Sequence, residues 1–187
     1  MGSRPATDHD GARPSSDRSS PERPEDVARA VVLRRLAMGP RTRAQLHEAI
    51  LAKDVPVQVA DAVLDRFTEV GLIDDAQYAA MLVRSRHASR GLARRALAVE
   101  LRRKGVGDAH AQEALAQVDD AAEERAARDL LRRRFSAAAG LDPQVQARRA
   151  MAMLGRKGYS SGLSARLVRE MVDDRGPGPG ESWEPSD

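Results

Sequence analysis

Cysteine is missing from all 187 residues. Its absence excludes a disulfide framework, a thiolate zinc site, an iron–sulfur cluster and a cysteine nucleophile. Aromatic residues are scarce, with two Phe, two Tyr and one Trp. Any core must therefore be aliphatic, and a base-stacking platform of several surface aromatics is not expected. No apolar run approaches the roughly 20 residues of a membrane helix. The opening MGSRPATDHDGARPSSDRSSPERPED lacks the apolar stretch of a secretory signal. A cytoplasmic protein with no membrane partner is expected. Lysine is also nearly absent: Lys53, Lys104 and Lys157 stand alone among 31 basic residues.

What is present favours helices. The 32 alanines supply helix far better than strand, and the alternation of a half-buried strand is nowhere sustained. Residues 1–24, rich in Ser, Pro, Arg, Asp and Gly, read as a disordered arm. Residues 175–187 read as a disordered tail carrying Glu181, Glu184 and Asp187. The body between holds 27 basic and 21 acidic residues over 25–175, a net of +6. The acidic tail is expected to screen a basic face, and Trp183 within it to add nothing by burial.

Helix punctuation is frequent. Ala28, Val31, Val32 and Leu36 follow helical spacing before Gly39-Pro40. Thr42-x-x-Gln45 is a capping box opening a helix with Leu46, Ala49 and Ile50 inward. Pro56 suits the first turn of a third helix, with Val59, Val63, Phe67 and Val70 recurring before Gly71. Asp74 or Asp75 caps a fourth helix, and Asp142-Pro143 supplies another N-cap and N1 proline. Nine helices are expected.

The three lysines set a register. Placed on one another, they align Leu46, Leu97 and Ala150 seven residues before and Ile50, Leu101 and Leu154 three before. After them come Val55, Val106 and Tyr159 (two on), Val59, His110 and Leu163 (six on), and Val63, Ala114 and Leu167 (ten on). Each block follows another helix (28–38, 76–87, 121–135). The chain therefore reads as an all-α array of three tandem three-helix repeats, 25–72, 73–119 and 120–174. A unit of this size has little core, so the three are expected to pack in series as an elongated array, straight or curved. Phe67, Tyr78, Phe135 and Tyr159 fall on apolar stripes and are assigned to the core.

A catalytic reading finds little. His47-Glu48 opens like a zinc-protease helix, but Leu51 stands where the second His belongs. GxxxxGK[ST], GxGxxG and GxSxG are all absent. The cluster Gly155-Arg-Lys-Gly158-Tyr-Ser-Ser-Gly162 reads as a helix cap. The pairs Asp74/Asp75, Asp119/Asp120, Glu123/Glu124 and Asp173/Asp174 sit where N-caps and solvated faces account for them. No catalytic residue, metal or cofactor is expected.

Basic residues carry the stronger signal. Arg84, Arg86, Arg90, Arg94, Arg95, Arg102, Arg103 and Lys104 face Glu100 alone over 21 residues. A second cluster holds Arg125, Arg128, Arg132, Arg133 and Arg134, and a third Arg148, Arg149, Arg156 and Lys157. Repeats two and three thus present similar basic helix ends, while repeat one has only Arg43 and Lys53. Long cations favour helix C-termini and solvated faces in any case; the recurrence adds an anionic partner, met through salt-sensitive phosphate contacts if it is nucleic acid.

Gly71-Leu-Ile-Asp-Asp-Ala-Gln-Tyr-Ala79, then Arg84, Arg90-Gly91 and Glu100-Leu-Arg-Arg-Lys-Gly-Val106, resembles the signature of RecX regulatory proteins. Arg156-Lys-Gly-Tyr159 is similar to its third-repeat counterpart. The resemblance spans about 25–172; Lys53-Asp54-Val55 departs from it by lacking the Lys-Gly step. It implies a protein that lodges in the groove of the RecA–DNA filament and restrains its ATP hydrolysis, strand exchange and coprotease action, modulating recombination and the SOS response. The partner-binding residues then expected, toward RecA or phosphates of single- or double-stranded DNA, are Arg84, Arg90, Arg94, Arg95, Arg102, Arg103, Lys104, Arg132, Arg133, Arg148, Arg149, Arg156 and Lys157. A monomer is expected. The alternative is a helical-repeat protein binding nucleic acid by itself.

Overall fold

The computed structural model describes residues 23–138 and 140–174. The arm, apart from Arg23 and Pro24, and the acidic tail with Trp183 lie outside the described residues. Among those described, nine helices and no strands are found. Repeat one comprises α1 (Pro24–Ala37), α2 (Arg43–Leu51) and α3 (Val57–Glu69). Repeat two comprises α4 (Asp75–Arg90), α5 (Arg94–Arg103) and α6 (Asp108–Leu115). Repeat three comprises α7 (Asp120–Ser136), α8 (Pro143–Arg156) and α9 (Ser161–Asp173). The first helix of each unit runs longer than its apolar pattern indicated. Pro24 and the acidic Glu25 and Asp26 prolong α1 at its N-terminus, where a missing N–H costs nothing and negative charge is favoured.

The expected caps are in place. Thr42 and Gln45 form the reciprocal box at α2. Asp74 rather than Asp75 caps α4, accepting from the Gln77 amide at 2.7 Å. Asp142 caps α8 with Pro143 following. Pro56 sits at the N-cap of α3, one position before the first turn.

Each repeat closes its own aliphatic core. Leu46, Leu97 and Ala150 are fully buried, as are Ile50, Leu101 and Leu154. Val55, Val106 and Tyr159, then Val63, Ala114 and Leu167, are buried in the same register. His110 is the exception, exposed where Val59 and Leu163 are half-buried, because a polar ring gains nothing from the apolar floor of repeat two. The apolar clusters follow the repeats, except that Ile73 joins that of repeat one and Ala93 that of repeat three. Phe67, Phe135 and Tyr159 are buried, and Tyr78 packs half-buried against the second core.

The junctions between repeats follow one plan. At the first, the Thr42 hydroxyl donates to the carbonyl of Lys104 at 2.6 Å, and Asp75 accepts from the Arg43 amide at 2.8 Å. At the second, the Ala93 amide donates to the carbonyl of Lys157 at 3.0 Å, and Glu123 accepts from the Arg94 amide at 2.6 Å. The end of one second helix thus meets the start of the second helix one repeat earlier, satisfying groups that helix termini leave open.

This explains the departure at Lys53-Asp54. Gly105 and Gly158 have φ of 74° and 90°, and both touch the preceding repeat. A Cβ on Gly105 would overlap that of Ala44, and one on Gly158 would lie 2.6 Å from the Ala96 backbone nitrogen. Asp54 has the same left-handed φ, 57°, but belongs to the first repeat and has no earlier repeat to approach. Asp tolerates that conformation, so glycine is not required there. Gly158→Ala is expected to lower stability by about 2 kcal/mol or more, from strained backbone plus a clash with main chain. Asp54→Gly is expected to change it by less than about 1 kcal/mol; urea denaturation of the two variants checks the contrast.

Candidate functional site

Lysine and tyrosine complete the second junction. The Lys157 ammonium donates to the carbonyl of Arg90 in the last turn of α4, where a cation is favoured. Beside it the buried Tyr159 hydroxyl donates to the carbonyl of Gly91 at 3.0 Å. Gly91, at φ 58°, ends α4 and packs against Leu130. Burial, with the charges of Glu123 and Asp129 behind it, pushes the Tyr159 phenol up to about 12.

The arginines divide by what surrounds them. Arg94 pairs with Asp120 and, at 3.4 Å, with Glu123. The Asp120 hydrogen bond, despite some desolvation, raises its affinity for the proton. Arg94 therefore works inside the junction. Arg86 meets Glu100 at 2.9 Å, and Arg132 meets Asp129 on its own helix. Within repeat three, Arg128 and Arg166 share Glu124 and Glu170, the closest contact being 2.5 Å. Glu124 is held below the ordinary carboxylate range by Arg166 first, and Glu170 by Arg128 first. The acidic pairs thus have employment that the caps and solvated faces expected from sequence did not include. Only Asp119, accepting from the Ala122 amide at 2.6 Å, is a plain cap among Asp119, Asp120, Glu123 and Glu124.

The remaining expected arginines lie open. Arg84 and Arg90 are exposed on α4, and Arg133 is exposed on α7. Arg133 lines a groove of about 370 Å³ with Arg125, His87 and Gly91. On α5, Arg95, Val99, Arg102 and Arg103 are all exposed and share one helical face. On α8, Arg148, Ala152 and Arg156 repeat that face in register, with the exposed Arg149 beside it. None of Arg84, Arg90, Arg95, Arg102, Arg103, Arg148, Arg149 and Arg156 has an ion pair among the described residues. Lys104 is half-buried, with its backbone carbonyl rather than its ammonium engaged by Thr42. The corresponding face of α2, Ala44, Glu48 and Ala52, carries no base.

Between the two stripes runs a groove of about 580 Å³, with Arg95 and Val99 on one wall and Arg156, Gly158, Ser161 and Ser164 on the other. The sequence placed Ser161 only within a helix-cap cluster and offered no sign of Ser164, because no motif marks a serine in an α-helix as part of a wall. Among the described residues no group of three or more His, Asp or Glu is disposed to hold a metal. No described helix is long and apolar enough to cross a membrane.

Comparison with known proteins gives a consistent assignment. Family models of the first, second and third three-helix domains of RecX match residues 28–67, 74–115 and 122–168. A regulatory protein RecX of Thermobifida fusca is 52% identical over 156 residues, covering 82% of this chain and 84% of its own. That of Streptomyces coelicolor is 48% identical over 171 residues, covering 89% and 91%. The crystal structure of RecX from Lactobacillus salivarius superposes with a TM-score of 0.71 at 19% identity, over 80% of this chain and 97% of its own. At that identity the superposition concerns the fold.

Tyr159→Phe is expected to cost about 1 kcal/mol by leaving the buried Gly91 carbonyl unpaired. Because the folded-state phenol titrates above its ordinary value of 10.0, its contribution is complete below pH 10 and is lost as pH rises toward about 12. Denaturation midpoints across that range, wild type against Tyr159→Phe, should converge at the alkaline end.

Proposed function

The chain belongs to the RecX family of regulatory proteins, and from that premise we propose that it binds along the groove of the RecA–DNA filament and restrains RecA. ATP hydrolysis, strand exchange and coprotease action are the activities it modulates, without catalysis or a cofactor of its own. It acts as a cytoplasmic monomer divided at 25–72, 73–119 and 120–174. The observation that carries the reading is the recurrence of one exposed arginine stripe on α5 and again on α8, in register. A periodic basic face suits a periodic, negatively charged filament, and complementary fields speed docking and fix its register. The stripes supply what the three-helix fold by itself does not.

The second reading, a protein that binds nucleic acid alone, draws on the same arginines meeting phosphates directly. The two separate by salt. Weak binding to DNA without RecA, falling steeply with ionic strength, supports DNA as an accessory contact. Tight, sequence-selective binding at physiological salt favours the second reading.

Added to RecA on single-stranded DNA, the protein should lower ATP turnover at substoichiometric ratios. Arg95→Glu, Arg102→Glu and Arg103→Glu together should abolish that effect with the circular dichroism spectrum and melting temperature preserved. Arg94 is left out of the set because its charge holds the junction. Full inhibition by the triple variant would show that the stripe on α5 does not meet the filament.

A further inference from the structure

The groove between the second and third repeats has the elements of an oxyanion site. Its floor ends at the start of α9, a helix of 13 residues. There the Ser160 hydroxyl caps the amide of Leu163 at 3.3 Å, and the amides of Ser161 and Gly162 precede the first intrahelical bond. Such a terminus favours an anion through its open N–H groups and its partial positive charge. Arg95 and Arg156 flank it from α5 and α8, both exposed and neither ion-paired among the described residues. Gly155 and Gly158 present no side chain to obstruct the approach.

A second observation, independent of the helix end, points to a ligand. Ser164 lines this groove and is 2% exposed, and its Oγ has no hydrogen-bond partner among the described residues. A buried hydroxyl without a partner costs stability. The register shows that packing does not need it: seven residues after the lysines of repeats one and two stand Ala60 and Ala111, and Ala60 is fully buried. Repeat three has a hydroxyl where the other repeats have a methyl group, and it is the repeat whose helix start opens into this groove.

We propose that the groove binds one phosphate group between Arg95, Arg156, the first amides of α9 and the Ser164 hydroxyl. The source that suits an open groove between two basic stripes is the phosphodiester backbone of a nucleic-acid strand. That identification of the source rests on the function proposed above; the phosphate site does not. The Gly155–Gly162 cluster then has two roles, ending α8 and framing the anion.

The test uses the full chain without RecA. Amide resonances of Ser161 and Gly162 should shift on titration with inorganic phosphate, and a thymidine oligonucleotide should move the same resonances and displace the phosphate. Ser164→Ala should leave the melting temperature unchanged or raised while weakening both ligands by about tenfold to a hundredfold, the loss of one hydrogen bond to a charged group. Arg95→Ala with Arg156→Ala should weaken the oligonucleotide about tenfold or more and flatten its salt dependence by about one in slope. A purely structural Ser164 would raise the melting temperature with affinity unchanged, and that result would overturn the site. Resonances unmoved by phosphate would do the same. Phosphate binding with no competition from the oligonucleotide would overturn the nucleic-acid source. Failure of any of these leaves inhibition of RecA turnover to stand or fall on its own assay.

Discussion

The arrangement of the repeats depends on one hydrogen bond made twice. The carbonyl of a lysine that ends a second helix accepts from the residue that begins the second helix one repeat earlier, Lys104 from Thr42 and Lys157 from Ala93. Several sequence constraints follow from it. The donor must sit close to the acceptor's chain, so the position after the lysine is a glycine without a Cβ to intrude. That glycine also turns the backbone into the left-handed region that terminates a helix. The residues facing it, Ala44 and Ala96, are small. Where the donor is a side chain, Thr42 is fully buried and its hydroxyl serves two helices at once, accepting from Gln45 and donating to Lys104. Where the donor is the Ala93 amide, Lys157 and Tyr159 add contacts of their own to the end of α4.

The same bond separates two scales of stability. Apolar burial is settled mainly inside each repeat, around Leu46 and Ile50, Leu97 and Leu101, or Ala150 and Leu154. The junctions are narrow, and each hydrogen bond across them contributes about 1 kcal/mol net. Opening of a junction therefore costs less than unfolding of a repeat, which makes the junctions the natural place for adjustment to a partner.

The fold was legible because its signals are local and periodic. The capping box, the N1 prolines, the helix stops and the spacing of Leu, Val and Ala all lie within a few residues of the structure they specify, and the lysine register shows the apolar spacing three times. The junctions were not legible, although their glycines were visible as motifs. A Lys-Gly step reads as a helix end; that its glycine also presses on Ala96 of another repeat depends on packing between segments about 60 residues apart. The arginine clusters were visible for the same local reason, but their division was hidden. Arg94 and Arg95 are neighbours in sequence, yet one is held by Asp120 and Glu123 while the other faces the groove. One helical step of about 100° separates their directions, and the carboxylates that distinguish them come from the next repeat.

That division also changes how the charge should be counted. A net of +6 over 25–175 is modest, and by itself argues little for an anionic partner. The acids, however, are not spread evenly over the surface. Glu100, the one acid in the run from Arg84 to Lys104, is held by Arg86. Asp120 and Glu123 are held by Arg94, and Glu124 and Glu170 by Arg128 and Arg166. Arg95, Arg102 and Arg103 on one helix, and Arg148, Arg149 and Arg156 on another, have no carboxylate partner among the described residues. At physiological salt a charge is felt over only about 8 Å, so a partner approaching α5 and α8 meets those arginines and not the average. Pairing the acids at the junctions and inside repeat three both ties the repeats together and leaves the basic stripes without a counter-charge among the described residues, so one set of contacts serves the array and its positive face.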